Sequence, residues 1–136
     1  MPNAFEIVET VLIDDFDAFN SFVLEVKKLG SSVAVDDFGS GYSSLSYLLS
    51  INFDILKFDG SLIKNIKNQK NFDLLKTIIA YTKMHKITTV AEHVENYEIF
   101  NIVCELGIDF SQGYYFSKPL RSNELQNFKK VVYVKN

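Results

Sequence analysis

The chain has 136 residues, 47% hydrophobic and 23% charged, which bounds it to one ordinary globular domain with a genuine core. Its formal charge of −3 gives no reason to expect DNA or another polyanion as partner, and no apolar run reaches the length of about eighteen residues that a membrane span needs. A single cysteine, Cys104, excludes an internal disulfide and suits a reducing cytoplasm, and with only His85 and His93 beside it any metal should be a hard, oxygen-bound ion rather than structural zinc.

In chain order, Ala4 to Glu9 reads as a β-strand, preceded by nothing that resembles a secretory signal. A helix is predicted from Phe16 to Leu29, capped by Asp14 or Asp15 and stopped by Gly30. Val33 to Val35 is a second strand ending in Asp36-Asp37 and a glycine-containing loop, and a short helix is expected from Ser43 to Leu49. Ile55 to Phe58 makes a third strand. Phe72 to His85 is strongly amphipathic, with Leu75, Ile78, Ile79 and Thr82 at helical spacing. Ile87 to Ala91 is a fourth strand, Tyr97 to Leu106 a helix closed by Gly107, and Asp109 to Gln112 a short fifth strand. Ser122 to Lys130 has a helical pattern, and Val131 to Val134 could add a last strand. Strands alternating with helices imply a parallel sheet with right-handed crossovers. Two architectures fit: an open doubly wound sheet, and part of a (β/α)8 TIM-type barrel with about five parallel strands and flanking helices.

Polar groups recur where the strands end: Glu6 and Glu9, Asp36 and Asp37, Lys57, Glu92 with Glu95, and Gln112. That edge is where parallel α/β folds place ligands. Carboxylates gathered there repel one another unless protonated or bound to cations, and Mg²⁺ or Mn²⁺ takes such oxygen ligands. A pair of these ions can activate a water and stabilise a leaving oxygen in phosphodiester hydrolysis, with a lysine offsetting developing charge. Singly, each residue has an ordinary reading. An acid at a strand end caps a helix, Lys57 pairs with Asp59 or Asp36, Gln112-Gly113 makes a turn, and Lys64, Lys67 and Lys70 form a solvated helix edge.

The lettering is more specific. Asp36-Asp37-Phe38-Gly39-Ser40-Gly41-Tyr42-Ser43-Ser44-Leu45 resembles the DDFGTGYSSL loop of the EAL family of cyclic-di-GMP phosphodiesterases. Leu56-Lys57-Phe58-Asp59 is similar to its LKID strand and Val90-Ala91-Glu92-His93-Val94-Glu95-Asn96 to VAEGVET. Gln112-Gly113-Tyr114-Tyr115-Phe116-Ser117-Lys118-Pro119 resembles QGYLFSKP, and Phe5-Glu6-Ile7-Val8-Glu9-Thr10 resembles LEITES. The resemblance implies a barrel and hydrolysis of cyclic-di-GMP to pGpG with Mg²⁺ or Mn²⁺. It makes Glu6, Asp36 and Asp37 metal ligands, and Lys57, Glu92 and Gln112 catalytic groups. Glu9 and Glu95 would anchor or support the loops. Phe38 could instead serve dimer contacts.

The departures set further expectations. The Glu-Ala-Leu strand and the following Asn-bearing strand of the family are not found ahead of Glu6, so residues 1–136 read as a truncated EAL domain, weak or inactive by itself. A non-catalytic cyclic-di-GMP receptor or protein-interaction module in bacterial signalling is the alternative. An unpaired edge at Ala4–Glu9 predicts a homo-oligomer or a partner covering it. His93 stands where the family has Gly; a surface histidine is the ordinary reading, and a side chain in that loop that crowds the site is the other. A phosphoacceptor receiver domain also combines an Asp pair with a Lys on five strands, but its Asp pair follows the first strand and its Lys the last.

Overall fold

The computed structural model describes residues 4–8, 16–39, 50–113 and 134–135. The expected helices at Ser43–Leu49 and Ser122–Lys130, the start of the last strand and the capping residues Asp14 and Asp15 lie outside these. The described strands are β1 (Ala4–Val8), β2 (Ser32–Phe38), β3 (Ile55–Phe58), β4 (Thr88–Ala91), β5 (Phe110–Ser111) and β6 (Val134–Lys135). Between them run α1 (Phe16–Lys28), α2 (Gly60–Lys64), α3 (Gln69–Met84) and α4 (Tyr97–Leu106).

The strands form one sheet in the order β1-β2-β3-β4-β5-β6. Each pair from β1 to β5 is parallel, and β6 lies antiparallel on β5. Spatial order therefore follows chain order without a reversal. A doubly wound sheet reverses at its switch point, whereas a barrel does not. The fold is that of part of a (β/α)8 barrel.

The core agrees. Val33, Val35, Leu56, Phe58 and Ala91 pack in one large cluster with Val23 and Val26 of α1, Ile63 of α2, Leu75, Ile78 and Ile79 of α3, and Ile99 and Val103 of α4. The alternate residues Ala34, Ile55 and Val90, with Phe110 against them, form a separate small cluster on the opposite face. One face of the sheet thus carries helices and the other faces the barrel interior.

Capping chemistry sets the helix limits. The Asn68 side chain accepts hydrogen bonds from the Lys70 and Asn71 amides, so α3 starts at Gln69 rather than at the expected Phe72. Asn96 caps α4 through the Ile99 amide, and Gly107, at φ 81°, ends it in the left-handed conformation. The α2 turn was not expected from sequence. Its cap is Asp59, whose carboxylate accepts from the Ser61 amide.

Candidate functional site

Side-chain parity along the strands decides which groups can meet. In the parallel register Glu6 lies beside Ala34, Ala34 beside Ile55, and Lys57 beside Val90. Ala34, Ile55 and Val90 belong to the interior face, so Glu6 and Lys57 share it, and Glu92 and Gln112 follow two residues beyond Val90 and Phe110.

Asp36 and Asp37 would point to opposite faces in a regular strand. They do not, because β2 carries a bulge: Val35 pairs with Leu56, but Phe38 rather than Asp37 pairs with Phe58. The extra residue is absorbed at Asp37, whose φ of 56° lies in the left-handed region that Asp tolerates better than most side chains. The Asp36 carboxylate accepts from the Asp37 amide at 2.9 Å and steadies the kink. As a result, carboxylate oxygens of Asp36, Asp37 and Glu92 all come within 4.8 Å of one another. Phe38 then returns to the helix side, buried at 4% exposure and edge-on to the Phe58 ring, so it is a core residue and not a surface for dimer contacts.

Lys57 is the cation in this group. Its Nζ lies 3.0 Å from Glu6 Oε1, 3.1 Å from Glu92 Oε1 and 3.9 Å from Asp36 Oδ1, with 7% of the side chain exposed. Burial works against its charge, but hydrogen bonds to Glu6 and Glu92 and the charges of Glu92 and Asp36 outweigh it and hold the ammonium protonated well above the usual lysine range. Asp59, expected as one ordinary partner of Lys57, caps α2 instead.

Burial, and after it the excess of carboxylates over the ammonium, shows in their acidity. Glu92 is pushed up to about 7, first by burial and then by the Asp36 charge, against the opposing pull of Lys57. Asp37 is also raised, by burial and then by Asp36 and Asp59. Gln112 adds an unmet acceptor. Its backbone is fully used, the amide donating to the Ala91 carbonyl and the carbonyl accepting from the Val94 amide, each at 2.9 Å, while Oε1 is buried without a hydrogen-bond partner among the described residues. Such an orphan costs about 1–3 kcal/mol unless a ligand or water meets it.

Among the residues expected at the site, Glu6 reaches Lys57 but is not in the three-carboxylate group. Glu95 lies outside that group and pairs with Lys64 at 3.6 Å, and Lys67 pairs with Glu98 at 2.6 Å, so the basic helix edge is partly tied down. Glu9 lies outside the described residues. Sequence reasoning missed the backbone at His93, whose φ of 57° is left-handed; this is the physical reason a glycine suits that position. No signal in a single sequence marks such a φ.

The three-carboxylate cluster fits a hard divalent cation. It offers oxygen donors only, its partly buried carboxylates lie close enough to raise one another, and a further amide oxygen, that of Gln112, is buried without a partner among the described residues.

Comparison with known proteins gives the same direction. The EAL domain family matches residues 2–119. The chain is 41% identical over 115 residues to the cyclic di-GMP phosphodiesterase PdeA of Borreliella burgdorferi, covering 84% of this chain and 17% of that protein. A solved EAL domain protein from Listeria monocytogenes superposes with a TM-score of 0.80 at 35% identity, covering 94% of this chain and 51% of that one. A standalone EAL protein from Vibrio cholerae, solved with c-di-GMP bound, superposes with a TM-score of 0.77 at 36% identity, covering 85% and 49%. The chain thus spans about half the length of these two solved chains.

Proposed function

Because this chain belongs to the EAL domain family, we propose that its carboxylate rim is the cation-binding part of a cyclic-di-GMP phosphodiesterase site, a reaction that yields pGpG. The observation that carries the reading is the bulge in β2, which turns adjacent acids into one cluster with Glu92 beside a buried, charged Lys57. Asp36, Asp37 and Glu92 would hold Mg²⁺ or Mn²⁺, with Glu6 and Gln112 supporting the same rim. A bound ion of this kind supplies Lewis-acid polarisation of a phosphoryl oxygen and a more acidic water.

The chain's own groups account for the rest. The Lys57 ammonium orients Glu6 and Glu92 and presents positive charge where a phosphodiester gains negative charge. Without a cation Glu92 holds its proton up to about 7, and a bound divalent ion would favour the carboxylate, so cation binding should release a proton near neutral pH. Four carboxylate side chains without a cation would repel a dianionic dinucleotide, so binding should require the metal.

The test is calorimetric titration of the chain with cyclic-di-GMP, with and without Mn²⁺, followed by chromatography for pGpG. Metal-dependent binding that is lost in Asp36→Ala supports the reading, and no binding under either condition overturns it. Binding without turnover supports the second reading, a receptor. Either role suits the cytoplasm, and no described helix is long and apolar enough to cross a membrane. The reading also includes self-association through the side of β1 that is unpaired among the described residues.

A further inference from the structure

His93 is the residue after Glu92, and its backbone sits at φ 57°, a conformation that disfavours a side chain by roughly 1 kcal/mol or more. A strained residue beside a buried carboxylate invites the question of what holds it there. Two contacts answer.

The first is Gly60, the buried opening residue of α2. Its φ is not left-handed, so backbone freedom does not explain a glycine here. Space does: a Cβ at position 60 would fall on Nδ1 of His93 and come to 2.6 Å from Cγ and 2.9 Å from Cε1. The imidazole therefore occupies the room that a side chain at 60 would need. The second is the turn after β5. A Cβ at Gly113 would strike the Val94 backbone, and the Val94 amide donates to the Gln112 carbonyl at 2.9 Å, so the chain just past His93 is gripped from that side. Outside the His93–Gly60 contact the ion pairs Lys64–Glu95 and Lys67–Glu98 tie the same two segments together.

We propose that His93 is a positioning residue, whose ring seated on Gly60 fixes the exit of β4 and so keeps the Glu92 carboxylate in the cluster with Asp36 and Asp37. The proposal concerns the ring's bulk, not its protonation, and it rests on reading that cluster as a cation site. It separates what a purely structural histidine would do from what a positioning one does. His93→Gly removes the backbone strain and should leave the fold as stable or more so. It also frees the β4 exit, so cation affinity should fall while stability does not.

The experiment measures Mn²⁺ affinity of the full 136-residue chain by electron paramagnetic resonance, with thermal unfolding in parallel, for wild type, His93→Gly, Gly60→Ala and the double variant. His93→Gly should weaken Mn²⁺ binding by about fivefold or more with no loss of thermal stability, and Gly60→Ala should weaken it by displacing the ring. In the His93→Gly background, Gly60→Ala should add nothing, because the collision is gone. If Gly60→Ala does not fold, His93→Gly decides alone. Wild-type affinity in His93→Gly overturns this inference and leaves the cation site standing. Absence of Mn²⁺ binding to the wild type overturns the cation site and this inference with it.

Discussion

Glu92 is a carboxyl whose burial and neighbours raise it from the ordinary 4.5 to about 7. The groups acting on it are Asp36, which raises it, and Lys57, which lowers it. Between those two values the folded chain binds a proton that the unfolded chain has released, so stability falls as pH rises through this window and the penalty is complete above it. Glu92→Gln should therefore be near neutral in stability at about pH 4 and stabilising by roughly 2 kcal/mol at about pH 8. Urea unfolding at both pH values measures this, and an effect that is the same at both would show that Glu92 titrates alike in the folded and unfolded chains. Asp37 offers a complementary separation. Asn tolerates left-handed φ as Asp does but carries no charge, so Asp37→Asn should keep stability within about 0.5 kcal/mol while lowering Mn²⁺ affinity about tenfold. A β-branched residue there, as in Asp37→Val, should lose both.

At the scale of elements, the helix ends carry measurable stability. Asn96 satisfies the Ile99 amide at the start of α4, and Asn96→Ala should cost about 1 kcal/mol in thermal or urea unfolding. An unchanged midpoint would mean that water replaces the cap without loss. The same elements show what could be read from sequence. Strand centres such as Val33–Val35 and Ile55–Phe58 were legible because buried apolar runs bounded by polar residues have few other uses. The α3 face was legible because Leu75, Ile78, Ile79 and Thr82 recur at helical spacing. The α2 turn was not, since Gly60 and Ser61 are poor helix formers and the turn exists through the Asp59 cap and burial of Leu62 and Ile63. Nor was the geometry of the acid pair. Alternation applied to Asp36 and Asp37 puts them on opposite faces, and only the bulge, a product of pairing β2 against β3, brings them together. The partners of Lys57 were legible in part: Asp36 was expected and lies at 3.9 Å, but Asp59 caps α2, and Glu6, far earlier in the chain, comes to 3.0 Å. The strand ends that carry the site could be named from the sequence; of the pairings that join them, Lys57 with Asp36 could, and Lys57 with Glu6 and Glu92 could not.

For the molecule as a whole, the sheet ends differently on its two sides. β6 lies along β5, whereas β1 is paired only with β2 among the described residues and leaves one row of backbone groups open. Next to that open side, Phe5 of β1 and Phe22 of α1 pack edge to face at 6.4 Å, yet remain 48% and 50% exposed. A backbone edge beside half-exposed aromatic rings has both components of a strand-pairing surface, hydrogen-bonding groups and apolar area to bury. With a second copy, a two-fold axis would set two β1 strands antiparallel and bring each Phe5–Phe22 pair against the other subunit. Light scattering over a wide concentration range should accordingly show a mass above that of one chain, falling on dilution. Phe5→Lys places a charge on the edge and should shift the equilibrium towards single chains without disturbing Lys57 and its carboxylates, because Phe5 and Glu6 project to opposite faces. A single-chain mass at every concentration would rule this association out, and the exposed rings would then need a different occupant.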